Sequence, residues 1–573
     1  MGEAKRRELA AKSQALEAMV VDTPGGRMHV QWDHGASATP NAQLTFFAEF
    51  LATTHVYSSW VDSCPLSYSS PNAPSKRDVL GTWLLAILAG HKRYAHITGL
   101  RGDAVSPQIL GMNKIISEDA LRRALSRMSA QQSQAWLAPH LMGSVQAALS
   151  TPWILDIDTT IKPLYGKQSG AEVSYNPHKP GRPSHALHTY WVGNLRLVLD
   201  VVVSPGKEHS AAKARPGLMG VLDKLRPEQR PALVRGDCGF GNEPFIAELE
   251  ERAQPYLFKL RQTAGVKKLL TRQFAREDWS TPGPSDQGWS AVEDTLKLSG
   301  WDKARRVVVL RRAVKADLAL SRKTKNEPGE QIELLMPDKD VQAWEYAVLV
   351  TNSAYALDAF GQLYRDRADC ENGFDELKNQ WGWGGFTTQD IERCQTSARA
   401  VALVYNWWSW YCRAAKPGAR MEAITSRALL LASVGRAVKH AGQTTLYLTP
   451  MHAAKDKLMA LIGNIRAALS HVRGVAEQLP TADRWKTFLD YVVARITRPL
   501  PPWLPQNQLA RVRQLTTQVV DLYRGALQTL HYNRLIWGSR VGFLMSSVAN
   551  MAWCSWVMVD RPVTGCVLFK MIF

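Results

Sequence analysis

A mixed α/β fold flanked by mainly helical regions is what this sequence predicts, and three observations predict it. Short apolar strands alternate with helical stretches from 151 to 260. Helical periodicity dominates from 76 to 149 and again beyond 391. Between them, from about 265 to 345, alternation of the β type returns, with Trp279, Trp289 and Trp301 spaced between short strands. At 573 residues the chain is long enough for more than one domain.

Taken in order, residues 4–20 predict a short charged helix, 26–34 a strand and 45–59 a helix. The turn-rich run 67–76 then closes an N-terminal region of 1–75. In a helical region of 76–150, Asp78 can cap a helix carrying Trp83, Leu84, Ile87 and Leu88. Ser117 caps another, with acids in its first turn and Arg122, Arg123 and Arg127 following. A short capped helix bearing arginines after a glycine-containing turn suits a helix-turn-helix DNA reader. An ordinary solvated helix is the plainer account.

At Thr151 the period changes. WILDID (153–158) is an apolar strand whose acids, Asp156 and Asp158, point to one face. Residues 188–204 predict a hairpin turning at Gly193-Asn194. A helix (210–225), a buried-type strand (232–237), another helix (243–253) and a strand (255–260) complete a first half, 151–264. The β-rich stretch 265–345 includes a run of cations around VVVL, suited to a DNA backbone or to a solvated hairpin. A second half, 346–415, opens with a strand (344–352) and a helix (361–379). It ends in an amphipathic helix (391–413) whose Trp407, Trp408 and Trp410 are core residues. The remainder, 416–573, is helical with basic faces, broken at LPPWLP (500–505). Its uncharged run 541–559 suits a buried helix better than a membrane span, because Ser546, Ser547, Asn550 and Ser555 interrupt it.

A net charge of +19 favours a polyanionic partner, nucleic acid before membrane surface. Seven scattered cysteines without a C-x-x-C pair argue for a reducing compartment, against a disulfide framework and against a zinc ribbon. The charged N-terminus lacks the apolar stretch of a signal peptide.

The chemistry gathers on the 361–379 helix. At about 100° per residue, Tyr364, Arg367, Glu371 and Lys378 share an arc of about 60°. A carboxylate between two cations and a phenol fits a surface that meets both a metal ion and a phosphate. Intrahelical ion pairing would explain the same arc, and Asp375 is a rival carboxylate on that face. Three acids thus stand on three elements: Asp158, Asp237 and Glu371. Two metal ions about 4 Å apart need carboxylates from different elements. An all-oxygen set suits Mg²⁺. Asp156 and Asp158 are not separable on the strand alone.

These residues resemble bacterial insertion-sequence DDE transposases that carry the YREK signature. Tyr364, Arg367, Glu371 and Lys378 match its spacing. Residues 158–185, RGDCGFGNEPF (235–245) and ELKNQWGWGGFTT (376–388) are similar to the same group, over roughly 25–415. The resemblance implies an RNase H-like core with the β-rich insertion 265–345 between its halves, and it assigns the metal-binding, catalytic acids to Asp158, Asp237 and Glu371. It implies two Mg²⁺ ions, for which Mn²⁺ can substitute, transposon-end and target DNA as partners, a homodimer on DNA, and a bacterial cytoplasmic setting without a membrane. Tyr364, Arg367 and Lys378 would hold phosphates near the cleaved end. Lys167, Arg182 and His185 have the make-up of a strand-gripping loop, and Trp381 could stack on an extruded base. Cleavage and strand transfer are the expected activity. A nuclease without strand transfer and a non-catalytic DNA-binding derivative are the alternatives.

Overall fold

The computed structural model describes residues 19–33, 37–174, 176, 179–208, 211–282, 288–314, 343–449 and 454–496. Its centre is one nine-stranded sheet. In chain order the strands are β1 (Ile154–Pro163), β2 (Glu172–Val173), β3 (Pro183–Val192), β4 (Leu197–Pro205), β5 (Leu233–Gly236), β6 (Tyr256–Lys259), β7 (Trp289–Leu296), β8 (Arg305–Val314) and β9 (Ala343–Thr351). Across the sheet they run β7-β8-β9-β6-β5-β1-β3-β2, with β4 also on β3. β5 is parallel to both β1 and β6, and every other pairing is antiparallel. A parallel pair needs a crossover; the helix Ala211–Leu222 lies between β4 and β5, and Glu243–Glu251 between β5 and β6.

The expected hairpin is present: β3 and β4 are joined through Gly193–Leu195, with Arg196 in the left-handed region at φ 47°. The expected β-rich stretch differs in two ways. It begins with a helix, Ala264–Gln273, whose Val266, Leu269 and Leu270 face the core. Its strands β7 and β8 then extend the central sheet through β9 rather than forming a sheet of their own.

The cations of β8 are not an open basic face. Arg305 is buried and bonded to Glu243 and Glu250, Arg306 reaches Glu293 at 2.8 Å, and Arg312 reaches Glu345 at 2.7 Å. Arg311 lies between the Trp279 and Trp344 rings, at 4.0 and 4.5 Å from their centroids. Among the described residues, this strand's charge is met within the protein. The rest of the cation run, 315–325, lies outside them.

The long helix Ile391–Ala415 is buried along most of its length, and Trp407, Trp408 and Trp410 are core residues as expected. Arg399 ties it to the sheet through Asp200 at 2.9 Å. Helices Leu44–Thr53, Lys76–Leu88, Ala130–Gly143, Lys455–Val475 and Asp483–Val493 contribute to the same apolar core. Ser117 caps Glu118–Leu125 as expected, through the Ala120 amide. The preceding helix, Ser106–Ile109, is only one turn, so the pair lacks the full first helix of a helix-turn-helix.

The C-terminal part is not wholly helical: Gly435–His440 and Gln443–Leu448 form a β-hairpin. The helix expected over 4–20 lies almost wholly outside the described residues, and Met19 and Val20 belong to a strand paired with Gly26–Val30. Residues 500–505 and 541–559 also lie outside. Among the described residues no helix is long and apolar enough to cross a membrane.

Candidate active site

Asp158 and Asp237 stand on neighbouring strands, Asp237 just past the end of β5 and Asp158 within β1, which runs on to Pro163 instead of ending at 158. β1 and β5 run parallel with Ile157 opposite Gly236, so the next residue on each is an acid. Neighbouring strands lie about 4.8 Å apart, which brings the two acids side by side. The chain then turns sharply, and the Gly239 amide donates to Asp237 Oδ1 at 2.8 Å. The Thr159 amide donates to Asp158 Oδ1 at 2.7 Å.

Glu371 comes from the helix that faces them. The single helix expected over 361–379 is two, Phe360–Arg365 and Ala368–Gln380, meeting at Asp366 and Arg367. Both joint residues keep right-handed helical dihedrals. The Arg367 and Cys370 amides donate to carbonyls three residues back, which tightens the turn. Gly373 has a packing reason: a Cβ there would stand 2.8 Å from the Trp191 ring. That close approach seats the Glu371 helix against β3.

The four side chains of the shared arc do converge. Arg367 donates to Asp158 Oδ2 at 2.9 Å and to Glu371 Oε1 at 3.1 Å. Its guanidinium carbon lies 5.7 Å from the Tyr364 ring centroid. Burial raises the Asp158 carboxyl to about 6; Arg367 opposes the rise, while Asp237 and Glu371 add to it. Burial also works against the charge on Arg367, yet Asp158, Tyr364, Asp237 and Glu371 hold its pKa above the ordinary value. Lys378 is pulled down by burial, with Asp158 and Asp375 opposing. The result is a partly buried excess of carboxylate charge offset by one guanidinium and one ammonium.

The donor set, oxygen throughout, fits a hard divalent ion in kind. Its positions are not yet a coordination shell: among the described residues no three carboxylate, histidine or cysteine side chains come close enough to hold a metal. Arg367 stands between two of the acids where a cation would be needed.

The geometry also separates Asp156 from Asp158. Asp156 is fully buried and opposite Arg235 in the β1–β5 register. Arg235 grips both of its oxygens, at 2.6 and 2.7 Å, and donates to the Leu363 carbonyl. Asp156 therefore braces the approach to the Glu371 helix. The motif 235–245 alone gives Arg235 no role, although a signal exists: it stands two residues before Asp237, as Asp156 stands two before Asp158.

Two expected DNA contacts are corrected by burial. Trp381 is fully buried, its indole N–H donating to Glu376 at 3.3 Å and Arg427 covering its ring at 4.1 Å. It packs the core and cannot stack on a base. His185 is fully buried as well, with Nε2 at 2.7 Å from the Ser169 carbonyl. Beside it, burial raises the Cys394 thiol, but the His185 hydrogen bond and the Lys162 charge outweigh this and bring it to about 7. Lys167 and Arg182 are exposed, and Arg182 lies 4.8 Å from the ring centroid of exposed Tyr165. Arg122, Arg123 and Arg127 are exposed and remote in sequence from the acids; Arg122 covers Tyr94 and Arg127 covers Tyr68. Burial pushes the Cys370 thiol far up, in keeping with a small filler beside Glu371.

A mixed sheet thus carries Asp158 and Asp237 on neighbouring strands, faced by the helix of Glu371 and Lys378 with Arg367 at its start, and the family match gives the class as DDE-domain transposases. The chain belongs to the transposase DDE domain group 1 family, whose profile matches residues 34–470, most of its length. Among solved structures it is similar to a piggyBac transposase synaptic complex with hairpin DNA, at 11% identity and a TM-score of 0.32, over 81% of this chain and 87% of that one. No curated protein matches it.

Proposed function

We propose that this chain is a DNA transposase that cuts DNA at the ends of its own element and joins the freed 3′ ends to target DNA. The observation that supports this most is the meeting of Asp158, Glu371 and Arg367, with Asp237 close enough to act on the charge of both Asp158 and Arg367. Divalent ions, Mg²⁺ or in its place Mn²⁺, would supply activation of the attacking oxygen and charge neutralisation at phosphorus. Asp158 and Asp237 would hold them from the sheet, and Glu371 from the helix. Arg367, Tyr364 and Lys378 would hold the phosphates, as a guanidinium grips phosphate oxygens in pairs. Lys167 and Arg182 grip the strand further out, and Arg122, Arg123 and Arg127 add backbone contact.

In the finer form of this reading the chain is a bacterial insertion-sequence enzyme of the YREK group, acting as a homodimer on two ends. Its core is RNase H-like, built from 151–264 and 346–415 with 265–345 between. Residues 1–75 and 76–150 precede it, the latter meeting DNA, and 416–573 follows. Incubation of the purified chain with Mg²⁺ and duplexes carrying the element's ends should yield joined products as well as nicks. Nicks alone would favour a nuclease. Binding without metal-dependent turnover would favour a non-catalytic derivative.

A further inference from the structure

The hairpin Gly435–His440/Gln443–Leu448 stands outside everything described so far. Only its root is held. Gly435 and Arg436 pair with Thr39 and Ala38, the Ala437 amide donates to the Ser37 carbonyl, and Gly435 is buried against Ala42. Beyond the root its residues are mostly exposed, and the chain turns at Ala441 and Gly442 with φ of 46° and 80°. Positive φ at both central residues marks the tight hairpin turn that matches strand twist, so the ribbon projects rather than folding back. A lone two-stranded hairpin is marginal in water, and this one leaves Val438, Tyr447 and Leu448 to solvent.

Its charge says what would cover it. From Ala423 to Lys455 the sequence carries Arg427, Arg436, Lys439 and Lys455 and not one carboxylate. Among the described residues Arg436 and Lys439 have no acidic partner, unlike the cations of β8. The other exposed hairpin, Met19–Val30, differs, since its Arg27 is bonded to its own Asp22 at 2.9 Å. On the Gly435–Leu448 ribbon, Arg436 stands opposite Tyr447, Val438 opposite Thr445, and His440 opposite Gln443. Strand alternation puts all six on one face, a row of cation, phenol, isopropyl, hydroxyl, imidazole and amide groups, and puts Lys439, opposite Thr444, on the other. A two-stranded ribbon is of the width that a duplex major groove admits.

We propose that this ribbon is a DNA-contacting element that enters a groove of the duplex, with Arg436 on one face and Lys439 on the other reaching the phosphates that flank it. The proposal rests on the transposase reading above. Binding of the full chain to a fluorescein-labelled random-sequence duplex, measured across a salt series, tests it. The Arg436→Glu/Lys439→Glu variant should bind roughly tenfold or more weakly near 100 mM salt, and its log–log salt slope should be shallower by about two. Should charge reversal disturb folding, Arg436→Gln/Lys439→Gln should show the same loss of slope at an unchanged melting temperature. Unchanged affinity and slope beside a salt-sensitive wild type would overturn the ribbon's role alone. A wild type with no salt-sensitive DNA binding would overturn the transposase reading and the ribbon with it. A change in the mass of the DNA-free variant, with DNA affinity intact, would make the ribbon a contact between copies and also overturn the proposal.

Discussion

Replacing Glu371 by glutamine should lower metal-dependent cleavage of end-containing DNA by at least about a thousandfold. Loss of one carboxylate ligand removes several kcal/mol of transition-state stabilisation, and about 4 kcal/mol is a factor of a thousand. The substitution is mild for the fold. The Glu371 side chain is 64% exposed, its one ion pair is with Arg367, and an amide still accepts that hydrogen bond. DNA binding and the melting temperature should therefore stay close to those of the wild type. Cleavage within tenfold of wild type would remove Glu371 from the ligand set. Attention would then pass to Asp375, which shares its helix face and accepts from Asn379 at 2.7 Å.

The second large effect falls on stability. Asp156→Asn should cost about 3–5 kcal/mol in denaturant unfolding, because it strands a buried guanidinium that has lost its counter-charge. Neither member of the pair has much access to water to compensate, with side-chain exposures of 2% for Arg235 and 0% for Asp156. Replacing both partners, Asp156→Leu with Arg235→Met, should recover much of the loss, since a packed apolar pair avoids desolvating either charge. Asp158→Asn should behave in the opposite way, folding but not cleaving. An Asp156→Asn chain with wild-type stability and no cleavage would exchange the roles of the two aspartates.

The central layout was legible because its signals are local and periodic. The strands β1, β3, β4, β5 and β6 follow alternation and apolar runs, and helical spacing alone brings Tyr364, Arg367, Glu371 and Lys378 toward one side although two helices carry them. What was not legible is set by tertiary contact. The break at Asp366–Arg367 depends on where Arg367 is pulled, and the fit of Gly373 depends on Trp191, far away in sequence. Trp381 and His185 have the chemistry of DNA-binding groups, and only their burial removes them from that role. The β8 arginines look like an open basic face until Glu243, Glu250, Glu293 and Glu345 are placed beside them. The Gly435–Leu448 segment reads as helix in sequence because its turn, Ala441-Gly442, lacks the usual Asn-Gly or Asp-Gly marker.

The account turns on whether three carboxylates from separate elements share divalent ions. Mn²⁺ binding to the DNA-bound chain, followed by electron paramagnetic resonance, addresses that without requiring turnover. The wild type should hold two ions, and a chain carrying Asp158→Asn, Asp237→Asn and Glu371→Gln together should hold neither at the same free Mn²⁺. Two ions retained by that triple variant, with unchanged affinity, would place the metal elsewhere and contradict the account.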